Sequence, residues 1–415
     1  MRHAVLLLTF SISALLLAST LHAQPADLST WEPSFLGYGT EPEMDYGGRT
    51  VMSLQGAVSR GIGAIGHIGE KHPGLAPVWE FPAAAALVLI QHEVDGHGGR
   101  AREFGLSPSY SFNYDFSAAT GTRRPPRTNE GNALIGSGGT EADQVMAHRT
   151  LLDLLRPEGA DGAKVPLLLI SKLDLTLYVA QTRNPDRGED FLDQYRDGND
   201  MAYYLLSRQA QRRGADPAAV WSGTYTADFA DPLLDTTYDD MRATALWNLL
   251  DPTLAGAVFN YFRQHVLGGQ VRVSAPVLRV AGGGVGLALG TRSALGPQEV
   301  SRFLDLHAAT RRGVFTVYVR DLDSSVDRTY GFGAAVHGFR VGGAELGLAA
   351  DSWDEPASRE RIRTGNGWNA TAEIDTLFQD RWGFSAKIGT KSAGFFPGLP
   401  IADGAYVGFG LRGVW

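Results

Sequence analysis

The sequence predicts an α+β protein, with a mainly helical part over residues 24–268 followed by an antiparallel β-barrel of about eight strands over residues 269–415. Three observations support this prediction. Apolar residues recur at helical spacing in the first part and alternate with polar residues in the second. An export signal precedes both parts, so the mature chain is expected outside the cytoplasm.

Residues 1–23 have the pattern of a secretory signal peptide. Arg2 and His3 precede an apolar run over residues 4–17, and Ala23 ends a small-residue cleavage site. The apolar run is shorter than the roughly 20 residues that a membrane-spanning helix needs. We therefore expect cleavage, with a mature chain that begins near Gln24.

Composition excludes several classes of protein and site. The chain has no cysteine, so disulfides, thiolate metal sites and cysteine nucleophiles are excluded, and any metal ligands must be His, Asp or Glu. The formal net charge is −8, and no basic stripe offsets it. Nucleic acid is therefore not an expected partner, because phosphate binding needs a basic surface.

Residues 24–268 read mainly as helices. Apolar spacing predicts helices over residues 81–92, 140–155, 200–213 and 239–250, whereas residues 167–179 fit either a helix or a strand. The segment Asp197-Gly-Asn-Asp200 is acidic but lacks the twelve-residue calcium-loop pattern. We interpret it as a helix break with an N-cap.

Residues 270–415 alternate with a period of two, in eight or nine segments of about ten residues. Phe315, Val317 and Val319, for example, are separated by polar residues or tyrosine. A soluble β-sandwich would turn the apolar set toward a core. An outer-membrane barrel would turn it toward lipid. Export and the chain end favour the barrel, because a last segment that ends on Trp415 resembles the C-terminal strand of bacterial outer-membrane barrels. This resemblance implies contact with outer-membrane lipid, and the helical part is expected on the periplasmic side.

The segment Gln91–Arg100 contains the residues of a candidate zinc site. His92 and His97 can bind zinc through imidazole nitrogen, and Glu93 can activate a water molecule. In the usual H-E-x-x-H motif the histidines are four residues apart, on one helix face. Here they are five apart, which turns them about 140° from each other on a regular helix. Either a π-bulge brings them onto one face, or Gly96 ends the helix and His97 folds back from a turn.

A second cluster, Thr140-Glu141-Ala142-Asp143, opens a predicted helix, and its Glu141 lies 49 residues after His92. Together, HEVDGH and TEADQVMA resemble zincin metallopeptidases of the HtpX and Oma type. The resemblance implies that His92, His97 and Glu141 bind Zn²⁺ and that Glu93 is the general base. It also implies that Asp143 orients a zinc-bound histidine. His148 shares a helix face with Glu141 and is a further candidate for the site.

We therefore expect an exported zinc metallohydrolase in the outer membrane, most simply a metallopeptidase that cleaves a protein or peptide substrate. Two alternatives stay open from the sequence. One is a non-enzymatic outer-membrane or periplasmic interaction protein, in which the histidines and carboxylates are structural. The other is a metal-dependent hydrolase of lipid or cell wall.

Overall fold

The computed structural model describes residues 34–114, 117–280, 284–324, 327–355, 365–378 and 382–413. The predicted signal peptide, residues 1–23, and the aromatic chain end at Trp415 lie outside these ranges.

The N-terminal part begins with strand β1 (Ser34–Gly39) and is then mainly helical. Its longest helix, α5, begins where the Thr128 side chain accepts a hydrogen bond from Gly131 N, and α8 begins where Asn199 caps Ala202 N in the same way. The helices and the short strands between them, in chain order, are α1 (Met44–Ala64), α2 (Ile68–Lys71), α3 (Ala76–Ile90), a π-helix (Gln91–His97), α4 (Gly98–Glu103), β2 (Pro108–Phe112), β3 (Ala118–Thr122), α5 (Asn129–Leu155), β4 (Ala160–Asp161), α6 (Lys164–Gln181), α7 (Glu189–Arg196), α8 (Asp200–Arg213), α9 (Pro217–Trp221), α10 (Pro232–Trp247), α11 (Pro252–Asn260) and a second π-helix (Tyr261–Val266). Single 3₁₀ turns cover Ile65–His67, Pro73–Leu75, Pro185–Arg187 and Asn248–Leu250. The ambiguous segment 167–179 is therefore helical.

The C-terminal part forms strands β5 to β14. Their bounds are β5 (Arg272–Val273), β6 (Leu278–Arg279), β7 (Val285–Leu295), β8 (Glu299–Thr310), β9 (Gly313–Ser324), β10 (Arg328–Val341), β11 (Ala344–Glu355), β12 (Gly365–Thr376), β13 (Trp382–Lys391) and β14 (Gly404–Gly413). Ten strands form one antiparallel sheet in the order β1-β14-β13-β12-β11-β10-β9-β8-β7-β6. This confirms the α+β class and the large antiparallel sheet. In the described part of the chain, hydrogen bonds do not close it into a barrel, since β1 and β6 are its edges.

One face of this sheet is apolar and exposed, and the other is polar and buried. In β9, Phe315, Val317 and Val319 are 42–58% exposed, whereas Thr316 and Tyr318 between them are 4% and 8% exposed. A soluble sheet packed on a core would show the opposite pattern. Exposed apolar side chains recur in neighbouring strands, at Leu289, Leu304, Leu306, Tyr330, Phe332, Leu348, Trp368, Ile388, Val407, Phe409 and Leu411. The structure therefore favours the interpretation in which the apolar set faces outward.

Helices α1 and α5 contact the buried polar face of the sheet through ion pairs. Arg49 on α1 pairs with Glu373 on β12 and, at 2.9 Å, with Asp375. Arg149 on α5 lies 3.1 Å from Glu373. The helical and sheet parts, expected to meet at residues 268 and 269, therefore share a buried ionic interface, and β1 of the first part pairs with β14 of the second.

One described helical segment, Pro73–Glu103, is long and apolar enough to cross a membrane. Only 28% of its most apolar stretch is buried, so it differs from the core helix of a soluble protein, which is mostly covered.

Replacing Arg49 with Met should lower the free energy of unfolding by about 3 kcal/mol, because buried Glu373 and Asp375 would lose a cationic partner. Guanidinium unfolding followed by circular dichroism measures this change. Arg196→Met is the control, since Arg196 forms its ion pairs at the exposed surface and should leave the midpoint unchanged. Equal shifts in both variants would contradict an ionic role for Arg49.

Candidate metal centre

The two histidines of the predicted motif share one side of a continuous helix. The π-helix Gln91–His97 widens the helical turn, so that the rings of His92 and His97 lie 4.7 Å apart, centroid to centroid. This is the first of the two arrangements that the five-residue spacing allows. The second is wrong, because the helix does not end at Gly96 but continues into α4.

Two glycines let this π-helix approach α5 closely. A Cβ atom on Gly96 would lie 2.5 Å from the Gly138 carbonyl oxygen. A Cβ atom on Gly139 would lie 2.2 Å from His92 Nε2. Any side chain at Gly139 would therefore take the space of the imidazole, so glycine at this position is a requirement of the site.

The third group at this site is Asp200, the first residue of α8. Its Oδ2 atom lies 3.4 Å from His92 Nε2 and 3.2 Å from His97 Nε2. Zinc bonds of about 2.0–2.1 Å in tetrahedral geometry place neighbouring ligand atoms about 3.3–3.4 Å apart. Both distances from Asp200 Oδ2 therefore match the separation of neighbouring ligand atoms around zinc, and His92, His97 and Asp200 form a group that could hold a metal ion.

The hydrogen bonds around the imidazoles suit metal binding. His92 Nδ1 faces Asp143 Oδ2 at 2.9 Å, and His97 Nδ1 faces the Ile135 carbonyl oxygen at 2.5 Å. Both partners accept hydrogen bonds, which assigns the proton to Nδ1 and leaves a lone pair on each Nε2 atom. His97 Nε2 is buried and makes no hydrogen bond in this structure. Two lone pairs and a carboxylate oxygen that converge in this way fit a bound cation.

Asp200 is the most accessible of the three groups. Its side chain is 24% exposed, whereas the side chains of His92 and His97 are 2% and 6% exposed. Burial alone would raise the pKa of Asp200, but the positive charge that the adjacent His97 and His92 imidazoles carry when protonated holds that pKa well below its usual value. Asp200 is therefore ionised at neutral pH, and solvent reaches the centre from its side.

Glu93, the predicted general base, lies beside this centre. It follows His92 in the π-helix, is 3% exposed and lies within electrostatic range of His97. Thr120 on β3 donates a hydrogen bond to Glu93 Oε2 at 2.6 Å. The hairpin of β2 and β3 therefore holds one carboxylate oxygen of Glu93 in place and leaves Oε1 for another partner.

Glu141 does not join the metal group, contrary to the prediction. Arg100 Nε donates to Glu141 Oε2 at 2.9 Å, and Gly398 N donates to Glu141 Oε1 at 2.6 Å. Both Glu141 and Arg100 are fully buried, and Arg100 also pairs with Glu103 at 2.7 Å, so Glu141 belongs to a buried ionic cluster. Glu141, the predicted third ligand, therefore lies outside the group of possible metal ligands, and Asp200 completes that group.

His148 also lies away from the imidazole pair. It lines a cavity of about 210 Å³ between α5 and the sheet, 6.1 Å from the ring of His307 on β8. About two helical turns separate it from Glu141. His148 therefore belongs to the interior of the sheet and is corrected as a member of the metal centre.

Asp143 lies where the prediction put it, against His92 Nδ1, and two further residues join it that the sequence analysis missed. Asp174 on α6 approaches the same nitrogen at 3.3 Å. The ring of Tyr178, one turn later on α6, stacks on His92 at 5.2 Å with an angle of 10°. Only the i, i+4 spacing of Asp174 and Tyr178 on α6 links them in sequence. The sequence feature that could have indicated Asp200 is its position beside the predicted N-cap.

Comparisons of this chain with models of known protein families, with curated proteins and with solved structures found no match. The resemblance to zincins therefore depends on the motif residues and their geometry alone.

Asp200→Ala should weaken zinc binding by more than about tenfold, because ligand loss costs at least as much as the loss of an orienting partner. Metal per chain, measured by atomic emission after dialysis against buffered zinc, tests this expectation. The matched variant is Glu141→Gln, which should keep the metal and instead lower the unfolding midpoint, since buried Arg100 would keep only Glu103 as a counterion. Metal loss in Glu141→Gln with retention in Asp200→Ala would restore Glu141 as the ligand.

Proposed function

We propose that this protein is a zinc-dependent hydrolase, with Zn²⁺ bound by His92, His97 and Asp200. The main support is the triangle of two Nε2 atoms and one carboxylate oxygen at 3.2 and 3.4 Å spacing. Three protein ligands leave a fourth position for water or substrate, as in catalytic rather than structural zinc sites. The second group of possible ligands, His92 with Asp143 and Asp174, serves instead to orient His92.

The reaction we propose is hydrolysis of an amide bond in a protein or peptide. Bound zinc would supply Lewis-acid activation of water and of the substrate carbonyl. Glu93, next to His92 and held by Thr120, takes the proton from the attacking water. The same carboxyl group then delivers this proton to the leaving amine nitrogen. Glu93 is suited to this task because Thr120 engages only one of its two carboxylate oxygens.

Glu93→Gln should reduce hydrolysis of a casein or peptide-library substrate by about 10² to 10⁴-fold, the usual effect of removing a general base. Bound zinc should stay at the wild-type level, because Glu93 is not a ligand. Activity is measured together with metal content in the same sample. Full activity in Glu93→Gln would exclude Glu93 as the base. A wild-type chain that binds zinc but cleaves nothing would favour the non-enzymatic alternative.

We further propose that the sheet is the wall of a β-barrel in an outer membrane, with the metal centre toward the periplasm. Its eight long strands, β7 to β14, have 10–14 residues each. A membrane-spanning strand needs about 9–11 residues. The exposed apolar face and the buried polar face support contact between the outer face and lipid.

Val317→Arg provides a test of this location. Val317 is 53% exposed, so in water the substitution should have little effect on stability. In a bilayer it should cost about 2–4 kcal/mol, as arginine does near the midplane on the lipid face of a barrel. Unfolding in phospholipid vesicles, together with recovery in the outer-membrane fraction, measures the difference. The membrane location would be excluded if Val317→Arg unfolded in vesicles with the stability of the wild type and the protein were recovered in the soluble fraction.

A further inference from the structure

Helices bridge the space between the two edges of the sheet. Helix α1 packs on edge strand β1, α3 packs on α1, and α6 packs on α3. Helix α11 then packs on both α6 and β7, next to the other edge strand, β6. The packing order therefore runs from one edge of the sheet to the other, and α3, α6 and α11 occupy the position where barrel strands would otherwise close the wall.

The outward faces of these helices continue the apolar face of the sheet. The only charged residue in α3, Glu80, is 1% exposed and points inward, where it accepts a hydrogen bond from Tyr261. Apolar side chains exposed by 40–69% lie on the outside of three helices: Val78 and Ile90 on α3, Leu177 on α6 and Phe259 on α11. No charge on α3 interrupts this surface. Such a face is suited to hydrocarbon and is costly in water.

The length of α3 places the metal centre at one rim of this apolar surface. Its fifteen residues extend about 22 Å at 1.5 Å per residue, close to the apolar band of about 25 Å in membrane barrels. His92 follows two residues after the end of α3, and the next turns contain charged Glu93, Asp95, Arg100 and Arg102. The change from apolar to charged side chains therefore coincides with the metal centre.

Exposed apolar side chains lie close in sequence to the residues of the centre. Ile90, 40% exposed, lies two residues before His92, and Leu177, 51% exposed, precedes the Tyr178 ring that stacks on His92. The partly exposed Asp200 opens the centre to solvent.

We propose that α3 and α6 are part of the lipid-facing wall, and that the metal centre cleaves a bond near the head group of an acylated, membrane-embedded substrate. This inference depends on the proposed zinc centre and specifies its substrate class. The acyl chain stays in the bilayer along Ile90 and Leu177. Water adds to the carbonyl carbon, the bond to the leaving nitrogen or oxygen breaks, and Glu93 transfers the proton of the water to the leaving atom.

The location of the wall can be measured with single cysteines, because the natural chain has none. Val78→Cys, Leu177→Cys and the exposed control Glu189→Cys would each be spin-labelled in the full-length mature protein in phospholipid vesicles. We expect the labels at positions 78 and 177 to collide more often with oxygen than with a water-soluble nickel chelate, and the label at 189 to show the reverse. Preference for the nickel chelate at 78 and 177 would overturn the proposal.

The substrate class can be tested with two hydroxamates on cobalt-loaded protein in the same vesicles. Acetohydroxamate and dodecanohydroxamate bind a metal through the same group, and the visible spectrum of cobalt reports their binding. Leu177→Gln should weaken dodecanohydroxamate relative to acetohydroxamate by about tenfold, from the apolar contact that it removes. The control Phe259→Gln, on α11, should leave the ratio of the two affinities unchanged.

The outcomes separate this inference from the zinc centre itself. If both hydroxamates bind and Leu177→Gln leaves their ratio unchanged, the metal centre stands and the acylated substrate class is overturned. If cobalt does not bind, or binds equally well to the His92→Ala/His97→Ala variant, the proposed zinc centre is overturned as well.

Discussion

Helix α5 positions both the metal centre and the sheet, because it is buried along almost its whole length. Gly139 leaves room for the His92 ring, and Asp143, one turn later, accepts the hydrogen bond from that ring. Farther along the same helix, Arg149 and Asp153 pair with Glu373 and His337 of the sheet. A shift of α5 would therefore disturb the ligands at one end and the interface with the sheet at the other.

The π-helix brings His92 and His97 onto one face, although they are five residues apart and a regular helix would separate them. One extra residue between the histidines would separate their rings by about 140°, yet the wider turn aligns them without ending the helix. Such π turns are rare, and here the turn is held by its contacts with α5. Gly96 meets the backbone of Gly138 and Gly139 there, at a distance that no larger residue permits.

The sequence allowed prediction of the parts that depend on local periodicity. The α+β class and the large antiparallel sheet follow from the periodicity of each part, and His92, Glu93 and His97 are neighbours in sequence. The position of Asp143 beside His92 was implied by the resemblance to zincins. The third residue of the candidate metal centre could not be predicted in this way. Glu141 fits a familiar motif, but the choice between Glu141 and Asp200 depends on Arg100, a buried cation whose position is visible only in three dimensions. The same limit applies to Tyr178, which contacts His92 from a separate helix.

The helices between the two edges of the sheet could not be predicted either. The alternation of apolar and polar residues along a strand gives no information about which element packs beside an edge strand.

The pairing of β1 with β14 has a consequence for how the chain folds. Ser34 pairs with Gly413, so one strand pair joins residues almost 400 positions apart. Contacts of such long sequence separation must overcome a large loop-closure entropy and slow the folding of β proteins. The partner of β1 is also the last described strand, so β1 has no partner in this sheet until residues 404–413 have been made. Under the proposed export, this late pairing favours transit in an unfolded state, with assembly of the sheet as a final step.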